Sequence, residues 1–176
     1  LLARFFDKAS DQLRGYAIGF IGRALGTAQQ PLSPEVAQRL KTLWERRLEQ
    51  ARSAPAGSID ELVNFGWWLD LELGDAWLLD KLDEALTLAK TTHLFIIVAR
   101  ALARLAPQRP HEAVRCLAAL VHADRDSLGI VGSRQQVRMI LASAMTSGDP
   151  EARELATALI HRLGARGQLE FRDLLP

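Results

Sequence analysis

Apolar residues recur at steps of three and four along most of the chain, which is the spacing of one face of an α-helix. The clearest stretch begins at Ser58, because Ser58 and Glu61 have the spacing of a capping box. The apolar row that follows it consists of Leu62, Phe65, Leu69 and Leu73. Gly74 suits the left-handed conformation that ends helices, and Asp75 can cap the next one. The pattern predicts a helix from Ser58 to Leu73, a tight turn and a second helix.

Similar start signals are found throughout the chain. Ser33 and Asp149 are each followed by a proline and a glutamate, which supply a cap, a first helical residue and a favourable charge. Ser133 with Gln136 resembles another capping box. Helix pairs are predicted to begin near Ser10, Ser58, Thr92 and Ser133, at spacings of 48, 34 and 41 residues. Irregular repeats of about 40 residues, each a helix pair, are typical of an α-solenoid.

On this period and on helix starts such as Ser33-Pro34 and Asp149-Pro150, the chain resembles HEAT and armadillo-like repeat proteins over nearly all of its length. The resemblance implies an all-α fold, a right-handed α-solenoid of about four antiparallel helix pairs in a single domain over residues 1–176. The four units share no strict consensus, so a compact helical bundle is the alternative. Phe65 to Trp68 and the ending Leu163 to Gly167 also resemble helical C-terminal regions of large bacterial proteins of unknown function, which implies no activity.

Three glycines interrupt the helix predicted from Ser10 to Gly26, at positions 15, 19 and 22. A glycine inside a helix costs about 1 kcal/mol relative to alanine, so their spacing predicts another helix pressed against that side. A phosphate loop is not indicated, because no strand precedes them and no Lys-Ser/Thr follows. The apolar residues of this helix, Leu13, Tyr16, Ala17, Phe20, Ile21 and Ala24, keep the helical spacing.

Composition supports a helical protein of one domain: 176 residues, 48% apolar and only 6% aromatic. Cys116 lies in an apolar row and is expected to be a buried, inert thiol. A lone cysteine and the lack of about 20 consecutive apolar residues favour a cytoplasmic location without a membrane span. Because the sequence opens on Leu1-Leu2 in an amphipathic pattern, we expect a fragment of a longer protein.

The net charge of +1 conceals a segregation along the sequence. Counting Lys and Arg against Asp and Glu gives +4, −6 and +3 for residues 1–57, 58–92 and 93–176. The favoured interpretation is that Asp80, Asp83 and Glu84 meet Arg100 and Arg104 of the next repeat. The alternative is that the acidic ridge binds a basic partner.

No catalytic, cofactor-binding or metal-binding constellation is predicted. His111 and Cys116 are five residues apart, and neither Cys-x-x-Cys nor His-Glu-x-x-His occurs. One comparison is with HEAT-like DNA glycosylases, whose clefts combine tryptophans with an aspartate, as in Trp67, Trp68, Asp70 and Trp77. This segment is the most acidic of the chain, so stacked core tryptophans are the favoured explanation.

Protein recognition is the function that the pattern favours, since stacked helix pairs create an extended groove. Trp67 lies about 140° from Leu62 around a helix, so it needs a second neighbour. The candidate partner-binding residues are Trp67, Arg100, Arg104, Arg134 and Arg138. The expected partner is another protein or another domain of the parent chain, and nucleic acid is the alternative because arginines outnumber lysines 18 to 4.

Overall fold

A computed structural model describes residues 2–28, 31–53, 60–89 and 93–176. Within these ranges the chain is all-helical and contains no strand, which confirms the prediction that the fold is all-α. The fold divides into two compact units, Leu1–Leu94 and Phe95–Pro176. Ser58, the predicted cap, and Thr92, a predicted helix start, lie outside the described residues.

The first unit contains five α-helices and one 3₁₀ helix among its described residues. They are α1 (Leu2–Lys8), α2 (Asp11–Gly26), α3 (Pro34–Ser53), α4 (Asp60–Val63), the first 3₁₀ helix (Asn64–Trp68) and α5 (Asp75–Ala89). Ser33 caps α3 as predicted, because its hydroxyl accepts from Val36 N–H at 3.3 Å. Ser10, near which a helix was predicted to begin, caps α2 by accepting from Leu13 N–H at 3.4 Å. Gly74 has φ +89°, which confirms the left-handed residue expected before α5.

The prediction of one continuous helix from Ser58 to Leu73 is wrong. α4 ends at Val63, the first 3₁₀ helix follows it to Trp68, and the chain then turns until Gly74. A 3₁₀ helix has three residues per turn, so residues three apart share a side. Phe65 and Trp68 are both buried on the core side, while Asn64 and Trp67 reach the glycines of α2. The tighter winding lets one short segment pack in two directions.

Aromatic rings form the core of the first unit. Trp44 of α3 stacks on Phe65, with centroids 4.1 Å apart and planes 10° apart, and Trp68 lies 5.5 Å from Phe65 at a tilt. The Nε1–H of Trp68 donates to the backbone oxygen of Ile18 in α2 at 3.0 Å. Both tryptophans are fully buried, so this cluster joins α2, α3 and the first 3₁₀ helix.

A buried ion cluster joins α2 and α3 to α4. The Glu61 carboxylate accepts from Arg47 Nη2 at 2.8 Å and from Arg14 Nε at 2.9 Å. Relative exposures of the Glu61, Arg47 and Arg14 side chains are 5%, 7% and 14%. Glu61, which was predicted to serve a helix cap, therefore neutralises two arginines from α2 and α3.

The packing order in the first unit is not that of neighbouring pairs. α2 packs mainly against α4 and the first 3₁₀ helix, while α3 packs against α5. The predicted pairing of the Ser10 helix with the Ser33 helix is therefore not the main contact that either helix makes.

The second unit contains five α-helices and a closing 3₁₀ helix. They are α6 (Phe95–Leu105), α7 (Pro110–Ala123), α8 (Leu128–Gly132), α9 (Arg134–Thr146), α10 (Pro150–Ala165) and the second 3₁₀ helix (Leu169–Leu174). The short helix α8 lies in the connection between α7 and α9. Asp124 holds its start, with carboxylate oxygens 3.0 Å from Ile130 N and 3.4 Å from Gly129 N.

Helices of the second unit pack in chain order. α6 contacts α7, α9 contacts α10, and these pairs contact each other through α6 with α9, α7 with α10 and α7 with α9. Polar side chains fix the turns: Ser143 Oγ donates to Ala106 O at 2.9 Å, and Arg166 Nη1 donates to Val121 O at 2.8 Å. Cys116 is fully buried within α7, as expected.

Of two helix caps predicted in this unit, one is confirmed and the other is wrong. Asp149 caps α10, accepting from Glu151 N at 2.9 Å and from Ala152 N at 3.3 Å. Ser133 precedes α9, but its side chain makes no cap hydrogen bond, so the predicted capping box is wrong there. The Ser133 backbone has φ −129° and ψ 25°, because the residue also ends α8. It therefore lacks the extended conformation of a usual N-cap.

Replacing Glu61 by glutamine should destabilise the protein strongly, because the buried guanidinium of Arg47 would lose its counter-charge and Arg14 would keep only Asp11 as an acidic partner. We expect a loss of about 3–5 kcal/mol in the free energy of unfolding, measured by urea denaturation followed by circular dichroism. Glu35→Gln is the matched control, since Glu35 pairs with Arg39 at exposures of 74% and 76%. Its effect should stay within about 0.5 kcal/mol. Equal effects of the two changes would contradict the structural role of Glu61.

Candidate partner-binding surfaces

The outer side of α2 carries a row of exposed apolar side chains. Leu13, Tyr16 and Phe20 are 53%, 64% and 67% exposed. They lie at i, i+3 and i+7, so they share one strip of the helix, and Gly15, Ile18, Gly19 and Gly22 are buried on the opposite strip. The predicted apolar spacing of this helix is correct, but these three residues face outwards and were not expected to bind a partner.

Trp67 and Arg23 extend this surface around α2. Trp67 is half-buried against Gly22, where a Cβ would lie 2.7 Å from Trp67 Cβ and from its backbone oxygen. The Arg23 guanidinium carbon lies 4.9 Å from the centroid of the Trp67 ring, which is a cation–π contact. The second neighbour predicted for Trp67 is therefore α2, and the close packing predicted for the glycines is confirmed at Gly22.

Five residues from both elements define what we call the α2 surface. They are Leu13, Tyr16, Phe20, Arg23 and Trp67. Arg23 is exposed, so its guanidinium, stacked on Trp67, presents N–H donors beside the apolar row. A signal in the sequence could have revealed this surface: glycines fill one side of the helix and large apolar residues fill the other.

Arg100 and Arg104 are exposed on α6 in the second unit. Ile96, one turn before Arg100, is half exposed, as is Val131 of α8, and Leu128 is exposed by 70%. Ile96 packs close to Gly132 of α8, since its Cδ1 lies 3.3 Å from the position of a Cβ on that glycine. These two helices present a smaller apolar surface beside two arginines.

Arg134 and Arg138 lie on α9 and are engaged by the second 3₁₀ helix. Arg134 Nε is 3.0 Å from Glu170 Oε1, and Arg138 Nη1 is 2.9 Å from Asp173 Oδ1. Arg138 Nη1 also donates to the backbone oxygen of Glu170 at 3.1 Å. Both arginines therefore bind acidic residues of their own chain.

The acidic helix α5 finds basic partners within the first unit. Glu84 pairs with Arg52 of α3 and, at 3.5 Å, with Lys81. Burial lowers the pKa of the Lys81 ammonium, but Asp80 and Glu84 outweigh this effect and the pKa lies above its ordinary value. The hydrogen bond with Glu49 raises the pKa of Arg52, and Glu84 adds to it. The expected pairing of this helix with Arg100 and Arg104 stays a prediction.

The tryptophans do not form a glycosylase-like cleft in the first unit. Trp68 is fully buried in the aromatic core, and Trp77 donates from Nε1 to Glu45 at 3.0 Å while Lys41 lies over its ring. Asp70 is exposed. Trp68 thus serves packing, as the favoured explanation expected.

Other polar groups give no built site. Among the described residues no group of three or more His, Cys, Asp or Glu side chains is placed to hold a metal ion. His111 lies 4.0 Å from both Asp149 and Glu151 at the starts of α7 and α10. A shallow depression on the surface is lined by residues of α10 alone: Pro150, Arg153, Glu154, Thr157, Ala158 and His161.

None of the described helices combines the length and the apolar character that a bilayer crossing requires. No protein-family model, no curated protein and no solved structure matches this chain.

Replacing Gly22 by alanine should disrupt the position of Trp67, because the new methyl group would meet Trp67 backbone and Cβ atoms at 2.7 Å. We expect a loss of about 1–3 kcal/mol in stability and a changed Trp67 fluorescence. Gly26→Ala is the matched control in the same helix, since its nearest side-chain atom is 3.8 Å away. It should be neutral or stabilise by up to about 1 kcal/mol. A stabilising Gly22→Ala would show that α2 and Trp67 are not in close contact.

Proposed function

We propose that this protein is a non-catalytic helical-repeat module that mediates protein–protein interaction within a larger protein. The observation that carries the proposal is the α2 surface, where three large apolar residues on one strip are mostly exposed. Contiguous apolar patches of this kind mark interaction sites when polar residues border them. The partner would be another protein or another domain of the parent chain.

The chemistry of the α2 surface specifies the kind of partner it would bind. A row at i, i+3 and i+7 matches the apolar stripe of a second helix, which would lie along α2. Arg23 at one end, held against Trp67, would donate hydrogen bonds to a carboxylate of the partner. We therefore propose an amphipathic helix with an acidic residue at the end of its apolar row.

The packing order of the second unit supports a HEAT-like repeat architecture. Two helix pairs that contact through their first helices and through their second helices repeat the arrangement of neighbouring units in a solenoid. We extend the proposal of a right-handed solenoid to this unit. The first unit departs from it, because α2 packs against α4 and the first 3₁₀ helix.

A synthetic helical peptide with a leucine row and a terminal glutamate tests the α2 surface. We expect fluorescence anisotropy to show saturable binding that Tyr16→Glu with Phe20→Glu weakens by at least about tenfold, since buried aromatic contacts dominate interfaces. Both residues are exposed, so the thermal midpoint should change little. Met139→Glu, at an exposed apolar residue of α9, is the control and should bind normally. Undiminished binding by the double variant would reject the surface.

Nucleic-acid binding is the competing function, and the engagement of Arg134 and Arg138 by acidic residues weighs against it. We expect duplex and single-stranded DNA to bind no more tightly than about 10⁻⁴–10⁻⁶ M, the range of non-specific contacts at physiological salt. Titrations at two salt concentrations check this. Nanomolar binding that weakens steeply with salt would favour nucleic-acid recognition instead.

A further inference from the structure

The second 3₁₀ helix, Leu169–Leu174, is held on α9 and α10 in the manner of a bound peptide. Its one aromatic side chain, Phe171, is only 1% exposed. Two acidic side chains on its outer part meet two arginines, Glu170 with Arg134 and Asp173 with Arg138. A buried ring flanked by carboxylates that meet arginines is a common form of short-segment recognition.

The spacing of the two arginines matches the spacing of the two acids. Arg134 and Arg138 are four residues apart on an α-helix, so they share one strip. Glu170 and Asp173 are three residues apart in a 3₁₀ helix, so they share one side, and Phe171 points elsewhere. Arg138 also donates to the backbone oxygen of Glu170, which any residue at that position would supply. The surface therefore recognises a backbone position as well as two charges.

The ion pairs are partly exposed, with side-chain exposures of 57% and 39% for Arg134 and Glu170 and of 41% and 62% for Arg138 and Asp173. Water and salt screen such pairs, so they contribute little binding free energy and act mainly by selecting a segment of negative charge. Phe171 is the one fully buried side chain of the segment. A segment held by one ring and two screened pairs can be replaced by another segment of the same chemistry.

We propose that α9 and α10 form a binding site for a short segment with an aromatic residue between two carboxylates. Leu169–Leu174 fills the site in the isolated chain. A segment of a partner protein with the same Glu-Phe-x-Asp chemistry takes its place. The inference rests on the proposed function in that it concerns recognition of another polypeptide, but it uses a different surface and a different unit from the α2 surface.

The experiment uses the full chain with a weakened internal segment. In the variant Glu170→Ala, Phe171→Ala, Asp173→Ala, the site should be vacated, and a fluorescent peptide of residues 167–176 should bind with a Kd that anisotropy can measure. The unmodified protein should bind it at least about tenfold more weakly, because its own segment competes. Adding Arg134→Glu and Arg138→Glu to the variant should abolish binding. Adding Arg153→Glu and Arg162→Glu, at exposed positions of α10, should leave it within about twofold.

Two further measurements distinguish recognition of the Glu-Phe-x-Asp pattern from rebinding of the chain's own segment. A peptide that shares only the glutamate, phenylalanine and aspartate spacing should bind the vacated variant, and a scrambled peptide should not. If the triple variant loses its helical circular dichroism, Glu170→Arg with Asp173→Arg replaces it, because Phe171 is then retained.

Three results would overturn the proposal. They are no peptide binding by a folded vacated variant, binding that survives the reversal of both arginine charges, and binding of the native sequence but not of the spacing-matched peptide. Each is independent of the helix-peptide test on the α2 surface, so the two ideas can fail separately.

Discussion

The first unit depends on one buried carboxylate between two arginines. Glu61 brings together Arg14 of α2 and Arg47 of α3, and it sits on α4, so three helices meet at a single charge. Removing ions from water is costly, and the cost is offset only where each charge has a well-placed partner. The cluster therefore favours one arrangement of these helices over others. It also fixes the start of the segment that carries Phe65, Trp67 and Trp68, and with it the aromatic core.

The close approach of this segment to α2 explains why that helix has two unlike sides. Trp67 can lie against Gly22 only because no side chain stands there, so α2 contributes little apolar area to the contact. Its larger residues, Leu13, Tyr16 and Phe20, occupy the other side, which no described element covers. A helix that packed through its large residues would have no reason to carry buried glycines at positions 15, 19 and 22. Because the glycine side of α2 makes the contact with Trp67, the large apolar residues of this helix are exposed on its other side.

Local signals in the sequence predicted the helices. The features that the sequence did not predict depend on contacts between residues that are far apart in the chain. Ser10, Ser33 and Asp149 cap their helices because the cap needs only neighbouring N–H groups. The stretch after Ser58 has helical spacing, yet it winds into a 3₁₀ helix because Phe65 and Trp67 must reach different partners. Arg134 and Arg138 were expected to line a groove, but their acids lie 36 and 35 residues further along the chain, and no periodicity connects them. Trp67 was predicted to need a second neighbour, and α2 supplies it, while its part in partner binding stays a prediction.

In the second unit, α9 and α10 share a surface that the second 3₁₀ helix contacts. The segment Leu169–Leu174 covers it with one phenylalanine and two carboxylates rather than with a full helix pair. A full pair would bury a long apolar face and would be hard to displace, whereas this short segment buries one large ring. In our proposal the same features let the segment protect the site and give way to a partner, because the arginines that hold it recognise charge and spacing rather than a particular chain.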